Sequence, residues 1–152
     1  MKRKDREITD RGEMEAVLAA APVCRMAMAD GEEPYVVPLC FGYADNTIWV
    51  HSAREGKKID ILTRNPRCCV EVDMYEGPIR DTVPCSWEVR YKSVICTGFA
   101  RPVEDSAEKN KALTCIMQHY GGETPVLSEK ALDRVLVVKI AIEEMTGKKY
   151  GY

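Results

Sequence analysis

Residues 34–66 read PYVVPLCFGYADNTIWVHSAREGKKIDILTRNP, and the architecture of the chain follows from them. Apolar and β-branched residues predict two strands, at 35–43 and 48–52, with an Ala-Asp-Asn-Thr turn between them. The spacing of isoleucine and leucine then predicts a short helix over 56–63. This helix ends before Pro66, because the residue preceding a proline disfavours the helical conformation.

The loop between the second strand and the helix has the composition of a phosphate site. Lys57 and Lys58 fall in the first helical turn, where cations oppose the positive end of the helix dipole, so a nearby anion would compensate them. The hydroxyl of Ser52, the flexible Gly56 and the N–H groups at the helix start supply further elements of such a site. Solvated lysines at an ordinary helix start give the same pattern, so the spacing alone leaves both interpretations open.

Pro38 interrupts the first of these strands. Both alternating sets of side chains in residues 35–43 are apolar, which predicts that neither face of the strand lies in water. Proline has no ladder donor, so Pro38 is expected on a sheet edge, at a bulge, or where a ligand replaces the neighbouring strand. An ordinary edge strand is the commonest of the three.

Further elements are predicted on both sides of this stretch. Upstream, Asp10 and Glu13 indicate a capping box for a helix that ends at Pro22, and a strand follows at 23–29. This strand is expected to form a three-stranded meander with the two strands of the hairpin.

Downstream, three more strands are predicted, and Gly98 permits a bend in the second of them. Asp105 caps a helix that Gly121 and Gly122 close. The strands lie at 67–74, 87–103 and 135–142, and the inner face of the helix is expected to carry Leu113, Ile116, Met117 and Tyr120.

Composition sets the class of protein. A chain of 152 residues, 45% of them hydrophobic, fits a single domain over residues 1–152. About six strands with helices at the ends and between them predict an α+β fold with a small antiparallel barrel. The net charge of −2 gives no general reason to expect nucleic acid or an anionic membrane as a partner.

The cysteines and the first residues predict where the protein works. Seven cysteines, including an adjacent pair and no C-x-x-C, indicate neither a disulfide framework nor a zinc site, so no metal is expected. They are typical of reduced thiols in the cytoplasm. The charged opening residues, with no continuous apolar run after them, predict neither a signal peptide nor a membrane-spanning helix.

Several short motifs together resemble one known superfamily. Individually weak, they match the flavin-binding split barrel, or pyridoxamine 5′-phosphate oxidase-like superfamily, in order and spacing across about a hundred residues. The nitroimidazole-resistance group, with its H-[ST], Y-[RK]-S-V and T-G-K motifs, is the most similar part of it. The matching segments are Val37-Pro38-Leu39-Cys40-Phe41, His51-Ser52, Gly56-Lys57-Lys58, Asn65-Pro66, Tyr91-Lys92-Ser93-Val94 followed by Gly98, and Thr146-Gly147-Lys148.

The resemblance implies a six-stranded antiparallel split β-barrel with flanking helices, which binds FMN at the interface of a homodimer. It also implies roles for individual residues. Those that would contact the isoalloxazine ring are Val37, Pro38, Leu39, Cys40 and Ser93, and those that would hold the phosphate are Ser52, Lys57 and Lys58.

His51 is the candidate catalytic residue and also a candidate flavin-binding residue, because the resemblance places it at a strand end beside the ring, and the matching histidine of the nitroimidazole-resistance group lies at the active site. An imidazole that titrates near neutrality delivers a proton to a reduced substrate or hydrogen-bonds its anion. A histidine at a strand end also serves often as a purely structural donor. His119, the second histidine, has no such context and is interpreted as structural.

The function that the resemblance implies is an FMN-dependent oxidoreductase that takes hydride from NAD(P)H and reduces a small planar acceptor. The flavin supplies the redox chemistry, and the protein positions it. Two alternatives stay open: a haem-binding split barrel, and a flavin-binding module without turnover.

Overall fold

The computed structural model of the protein describes residues 3–123 and 127–152. These residues form eight strands, four α-helices and two short 3-10 turns. In chain order the elements are β1 (Glu7–Ile8), α1 (Arg11–Ala20), β2 (Cys24–Asp30), β3 (Glu33–Leu39), β4 (Phe41–Ala44), β5 (Thr47–Ser52), α2 (Lys57–Arg64), β6 (Arg67–Ile79), β7 (Glu88–Val103), α3 (Ser106–His119), α4 (Glu129–Arg134) and β8 (Leu136–Tyr150), with the 3-10 turns at Lys4–Arg6 and Pro84–Ser86.

All described strands join one antiparallel sheet with the order β3-β2-β6-β7-β8-β5-β4, and β1 pairs with β8. The α+β class is therefore confirmed. The predicted number of six strands is wrong, because the apolar pattern hides one strand break and misses the two-residue β1. The barrel is also not closed, since no ladder joins β3 to β4 within the described ranges.

The chain passes from one edge of the sheet to the other at Cys40. β3 pairs with β2 and β4 pairs with β5, and only Cys40 separates these two edge strands. The sheet must therefore coil until its edges approach each other. The predicted strand over 35–43 and its three-stranded meander are wrong, because the ladder changes partner here, whereas the predicted edge position of Pro38 is confirmed.

The main core fills the inside of the coiled sheet. Alternate residues of β2, β6 and β7 point inward, among them Met26, Val70 and Val94. Helix α1 covers this core with its buried residues Met14, Val17 and Leu18. Its predicted cap is confirmed, because the carboxylate of Asp10 accepts a 2.7 Å hydrogen bond from the backbone N–H of Glu13.

A second, smaller core lies between α3 and the outside of β5 and β8. Ala112 and Ile116 of α3 pack there with Trp49 and Val137. The predicted inner face of this helix is correct for Ile116, but wrong for Met117 and Tyr120, which are 43% and 45% exposed. Helix α3 approaches β4 closely, since a Cβ atom on Gly42 would lie 2.8 Å from the backbone of Cys115.

The long strands β7 and β8 connect the two ends of the molecule. The predicted bend in β7 is confirmed, because its register with β8 shifts between Thr97 and Gly98. A side chain on Gly98 would overlap the carbonyl oxygen of Ala141, so only glycine fits. β8 runs past the predicted end at residue 142, where charged residues break the apolar pattern but still pair in the ladder. No helix within the described ranges is long and apolar enough to cross a bilayer.

Candidate functional site

Helix α2 begins without a side-chain cap. Gly56 stands at the cap position with φ +123°, which glycine adopts far more readily than other residues, and open space surrounds it. Its carbonyl oxygen accepts hydrogen bonds from the N–H groups of Ile59 (2.8 Å) and Asp60 (3.1 Å). Lys57 and Lys58 come before the first residues that donate to Gly56, so their backbone N–H groups have no partner within the helix. The start of α2 therefore presents backbone donors together with two ammonium groups.

Lys58 is a half-buried cation without an acidic partner. Burial lowers the pKa of its ammonium group, and its electrostatic neighbour is the thiol of Cys24 rather than a carboxylate. No carboxylate among the described residues lies within ion-pair distance of it. Four lysines elsewhere each pair with a carboxylate: Lys92, Lys111, Lys139 and Lys149. The environment of Lys58 therefore fits an external anion.

Lys57 connects α2 to the edge strand β3. Its Nζ atom lies 4.8 Å from the centroid of the Tyr35 ring, within the range of a cation–π interaction. On β3, Val37 and Leu39 are half-buried against the main core, whereas Pro38 and Cys40 are exposed. Lys57 thus lies beside Tyr35, and Cys24, the electrostatic neighbour of Lys58, pairs with Leu39, so both lysines lie near β3.

The two predicted site residues at the end of β5 face different ways. Ser52 is half-buried and pairs with Leu136, while His51 is exposed and pairs with Val137. Successive strand residues point to opposite faces, so Ser52 shares the face of the main core and His51 shares the face of Trp49. Ser52 lies at the loop that leads into α2, whereas His51 points away from it.

Ser93 lies far from His51 along strand β8. It pairs with Asp73 and Lys148, whereas His51 pairs with Val137 on the same strand β8. Val137 and Lys148 are eleven residues apart in the sequence, which corresponds to about 36 Å along the path of a strand. The path along β8 therefore separates Ser93 from His51, whereas the ladders from β7 through β6 place Ser93 only two strand spacings, about 10 Å, from β2 near Cys24.

Tyr120 is a residue of the site that the sequence interpretation missed, because it counted as part of the core. Its hydroxyl donates a 3.1 Å hydrogen bond to the carbonyl of Pro22 and accepts a 3.2 Å hydrogen bond from the backbone N–H of Phe41. The thiol of Cys40 is a further hydrogen-bond neighbour, and burial raises the pKa of Tyr120. Tyr120 therefore fixes the point at which β3 passes into β4.

His119 supports the same junction and has the structural role that the sequence predicts. Its Nε2 atom lies 2.8 Å from the carbonyl oxygen of Ala21, so this nitrogen carries the proton and donates it. Its ring lies 4.4 Å from the ring of Phe41. The end of α3 thus holds both α1 and β4.

The arrangement has two chemical capabilities. The start of α2 offers an anion the positive charges of Lys57 and Lys58 together with backbone N–H donors. Phosphate sites in proteins have these features. Pro38 of β3 and Cys40 directly after the strand are exposed and largely apolar, on the face opposite Tyr35, and a planar group can lie against them. No second strand covers that edge within the described residues.

Comparison with known proteins places the chain in a family. The family model described as pyridoxamine 5′-phosphate oxidase matches residues 10–149. A solved structure from Bacteroides thetaiotaomicron, provisionally assigned to 5-nitroimidazole antibiotic resistance, is 36% identical, with a TM-score of 0.84, and the match covers 93% of this chain and 85% of that one.

Two further relatives are more distant. The structure of the FAD and heme binding protein of Mycobacterium smegmatis has a TM-score of 0.84 at 18% identity, covering 97% of this chain and 75% of that one, and so shares the fold. An uncharacterized protein of Rhizobium meliloti (strain 1021) is 26% identical over 91 residues, which are 60% of this chain and about half (53%) of that protein. On the family match and the 36% identity, the chain belongs to the pyridoxamine 5′-phosphate oxidase family.

Proposed function

We propose that the protein is a homodimeric FMN-dependent oxidoreductase, which takes hydride from NAD(P)H and reduces a small planar acceptor. The observation that carries this proposal is Lys58, a half-buried ammonium group without a carboxylate partner among the described residues, at the uncapped start of α2. Family membership supports a flavin as the bound molecule. The description of the Bacteroides thetaiotaomicron relative supports an acceptor of the nitroimidazole type as the first to test.

FMN fits the charge of the site better than FAD. Its terminal phosphate monoester carries between one and two negative charges near pH 7 and offers three acceptor oxygens. Lys57, Lys58 and the N–H groups that open α2 match such a compact dianion. The internal diphosphate of FAD would instead need room for an adenosine beyond the helix start.

A second subunit is part of the proposal because one chain keeps Ser93 and His51 far apart along β8. Ser93 lies on the outer face of the sheet, the side away from the main core, far along β8 from His51. The outer face also carries exposed apolar side chains on two strands, Val36 (62% exposed) and Ile95 (44% exposed). A second copy packed on this face would cover them and would supply its own Ser93 to the flavin.

His51 is the proposed proton donor. Its ring at the end of β5 is exposed on the strand face opposite Ser52, where it would meet the acceptor, and a protonated imidazole can act as a general acid. When bound, the flavin supplies the hydride transfer. The residues of this chain hold its phosphate, orient its ring along β3 and protonate the reduced acceptor.

The visible spectrum of the purified protein, before and after addition of FMN, tests the cofactor. We expect a flavin spectrum and a fluorescence change on titration with FMN, and much weaker binding of riboflavin, which lacks the phosphate. A protein that ignores added FMN would contradict the proposal, and a Soret band would favour the haem-binding alternative. Bound flavin that NADH and NADPH never reduce in stopped flow would favour a module without turnover.

A Lys58→Ala variant tests the phosphate site itself. Loss of a charge-assisted hydrogen bond, worth about 1.5–3 kcal/mol, weakens FMN binding about 10- to 150-fold. Riboflavin affinity should hardly change, because riboflavin does not use the ammonium group. Lys111→Ala, at an exposed lysine of α3 that pairs with Asp45 at 3.3 Å, is the matched control and should bind FMN normally. Equal FMN affinity in both variants would remove Lys58 from the site.

A further inference from the structure

A cavity lies between α2 and the strands β7 and β8. Its volume is about 330 Å³, and its lining is mostly apolar, from Ile59 and Leu62 of α2, Ala100 and Pro102 of β7, and Leu136 and Val138 of β8. Ligand sites in proteins have volumes from about 300 to 1,000 Å³, so this cavity reaches the size of a small-molecule site. It is about twice the ~150 Å³ that suffices for benzene in an engineered protein core.

One end of this cavity meets a polar groove. Arg101 and Pro102 line both the cavity and a neighbouring groove of about 450 Å³, which also contains Glu108, Lys139 and Glu143. Apolar surface and charged surface therefore adjoin at Arg101. A ligand that fills both parts needs an apolar body and a charged head.

The charge of that head follows from the ion pairs in the groove. Lys139 pairs with Glu108 at 2.8 Å, and Glu143 pairs with Arg67 at 3.0 Å. Arg101 is exposed and has no carboxylate within ion-pair distance among the described residues. A guanidinium group that lacks a partner is matched by a carboxylate, which it binds through two parallel hydrogen bonds.

We propose that this cavity binds a small amphiphilic carboxylate of about a dozen non-hydrogen atoms, with its apolar body beneath α2 and its carboxylate at Arg101. The size follows from the cavity volume and the charge from the unpaired guanidinium. Saturated or aromatic carboxylic acids of this length share the required chemistry. Decanoate, with twelve non-hydrogen atoms, is the probe for the class.

The carboxylate site is separate from the proposed phosphate site. Ile59, Leu62 and Thr63 line the cavity, whereas Lys57 contacts Tyr35 and Lys58 has Cys24 as its electrostatic neighbour. The two sites therefore use different residues of α2. The proposal about the cavity does not depend on whether the protein binds a flavin.

Isothermal titration with decanoate and with decanol, below their aggregation concentrations, tests the site. We expect decanoate to bind at least about tenfold more tightly than decanol, because only the acid pairs with Arg101. Arg101→Gln should abolish this preference and leave decanol binding unchanged. Arg64→Gln is the matched control, because Arg64 is an exposed arginine of α2 that pairs with Asp30 and does not line the cavity. This variant should keep the preference for decanoate over decanol.

A blocking variant tests the location. Thr63 is exposed and lines the cavity, so Thr63→Phe should block the cavity without disturbing the core. Thr63→Val, which has nearly the size of threonine, should leave the cavity open. Methyl NMR should show decanoate shifting the signals of Leu62, Leu136 and Val138. Equal affinity for acid and alcohol, normal binding to Thr63→Phe, unshifted methyl signals, or displacement of decanoate by FMN would each overturn the proposal.

Discussion

The ammonium group of Lys57 lies 4.8 Å from the centre of the Tyr35 ring, and this contact joins the first turn of α2 to the edge strand β3. It holds the proposed phosphate donors beside residues 37–40, which would contact the flavin ring. A cation–π interaction of this exposed kind contributes about 0.5–1 kcal/mol. Tyr35→Leu should therefore weaken FMN binding about two- to fivefold in a fluorescence titration.

Tyr35→Phe is the control for this change, because it keeps the ring and removes only the hydroxyl. We expect its FMN affinity to equal that of the parent protein. If Tyr35→Leu also binds FMN normally, the contact between Lys57 and Tyr35 has no part in positioning the phosphate site.

Removal of the Lys58 charge should stabilise the flavin-free protein. Burial lowers the pKa of Lys58 below its ordinary value of 10.5, so the native state pays for holding this proton. At a pH below the lowered pKa, Lys58 is protonated in both the native and the unfolded state, and the full cost of burying its charge reduces the free energy of unfolding. As the pH rises towards 10.5, the native state releases the proton first, the unfolded state binds more protons, and stability increases. Lys58→Met should thus be more stable than the parent near pH 7, by up to about 0.5 kcal/mol.

Urea unfolding of the flavin-free protein at pH 7 and above pH 10 measures this difference. The advantage of Lys58→Met should shrink as the pH rises, because the parent protein then loses the buried charge as well. Lys111→Met, at an exposed and paired lysine, should show no such convergence. A difference that is constant across this pH range would mean that Lys58 carries no penalty for its burial.

The sequence predicted the local structure well where one short-range rule acts alone. Asp10 and Asp105 cap their helices as predicted, because each accepts a hydrogen bond from a backbone N–H group three residues later. Gly98 marks the bend of β7 for a steric reason that the residue type itself reveals. The charge argument about the lysines at the start of α2 also uses a local rule, because a helix has its dipole whatever fold surrounds it.

Long-range pairing was less predictable. Residues 35–43 have an uninterrupted apolar pattern, so no local signal at Cys40 shows that β3 and β4 belong to opposite edges of the sheet. Tyr120 was assigned to the core on its helical spacing, whereas its hydroxyl bonds to Phe41 and Pro22 depend on tertiary contacts. The distance between Ser93 and His51 follows from the register of β8, which a sequence pattern does not contain.

The hydroxyl of Tyr120 should stabilise the junction between β3 and β4. Tyr120→Phe leaves the N–H of Phe41 and the carbonyl of Pro22 without this partner. We expect a loss of about 1 kcal/mol in the free energy of unfolding, because water can replace part of the lost bonding at this half-exposed position. Tyr75→Phe, at a tyrosine that is 66% exposed, should leave the stability unchanged in the same urea titration. Equal stability of the two variants would show that the junction does not need the Tyr120 hydroxyl.

The two histidines should differ in what their loss affects. His51→Gln should keep the affinity for FMN and lower turnover about 100-fold or more if its ring delivers the proton. His119→Gln removes the ring that contacts Phe41, so it should lower the melting temperature while the turnover of folded, flavin-loaded protein stays normal. Steady-state kinetics normalised to bound flavin separates these effects. Normal turnover of His51→Gln would return His51 to a structural role.

A charge on the outer face of the sheet should separate the subunits. Ile95 stands on the central strand β7 with 44% of its surface exposed, and a second copy packed there would bury it. A lysine in the middle of such an interface costs at least about 2 kcal/mol, so Ile95→Lys should raise the dimer dissociation constant about 30-fold or more. FMN binding should weaken in parallel, since the Ser93 of the second copy is then withdrawn.

Met117→Lys is the matched control for Ile95→Lys, because Met117 is 43% exposed but lies on α3, which packs over β5 and β8 and not over Ile95. It should remain dimeric and bind FMN normally in analytical ultracentrifugation and flavin titration. Far-UV circular dichroism should be the same for both variants. If Ile95→Lys stays dimeric with normal FMN affinity, the outer face around Ile95 does not form the interface.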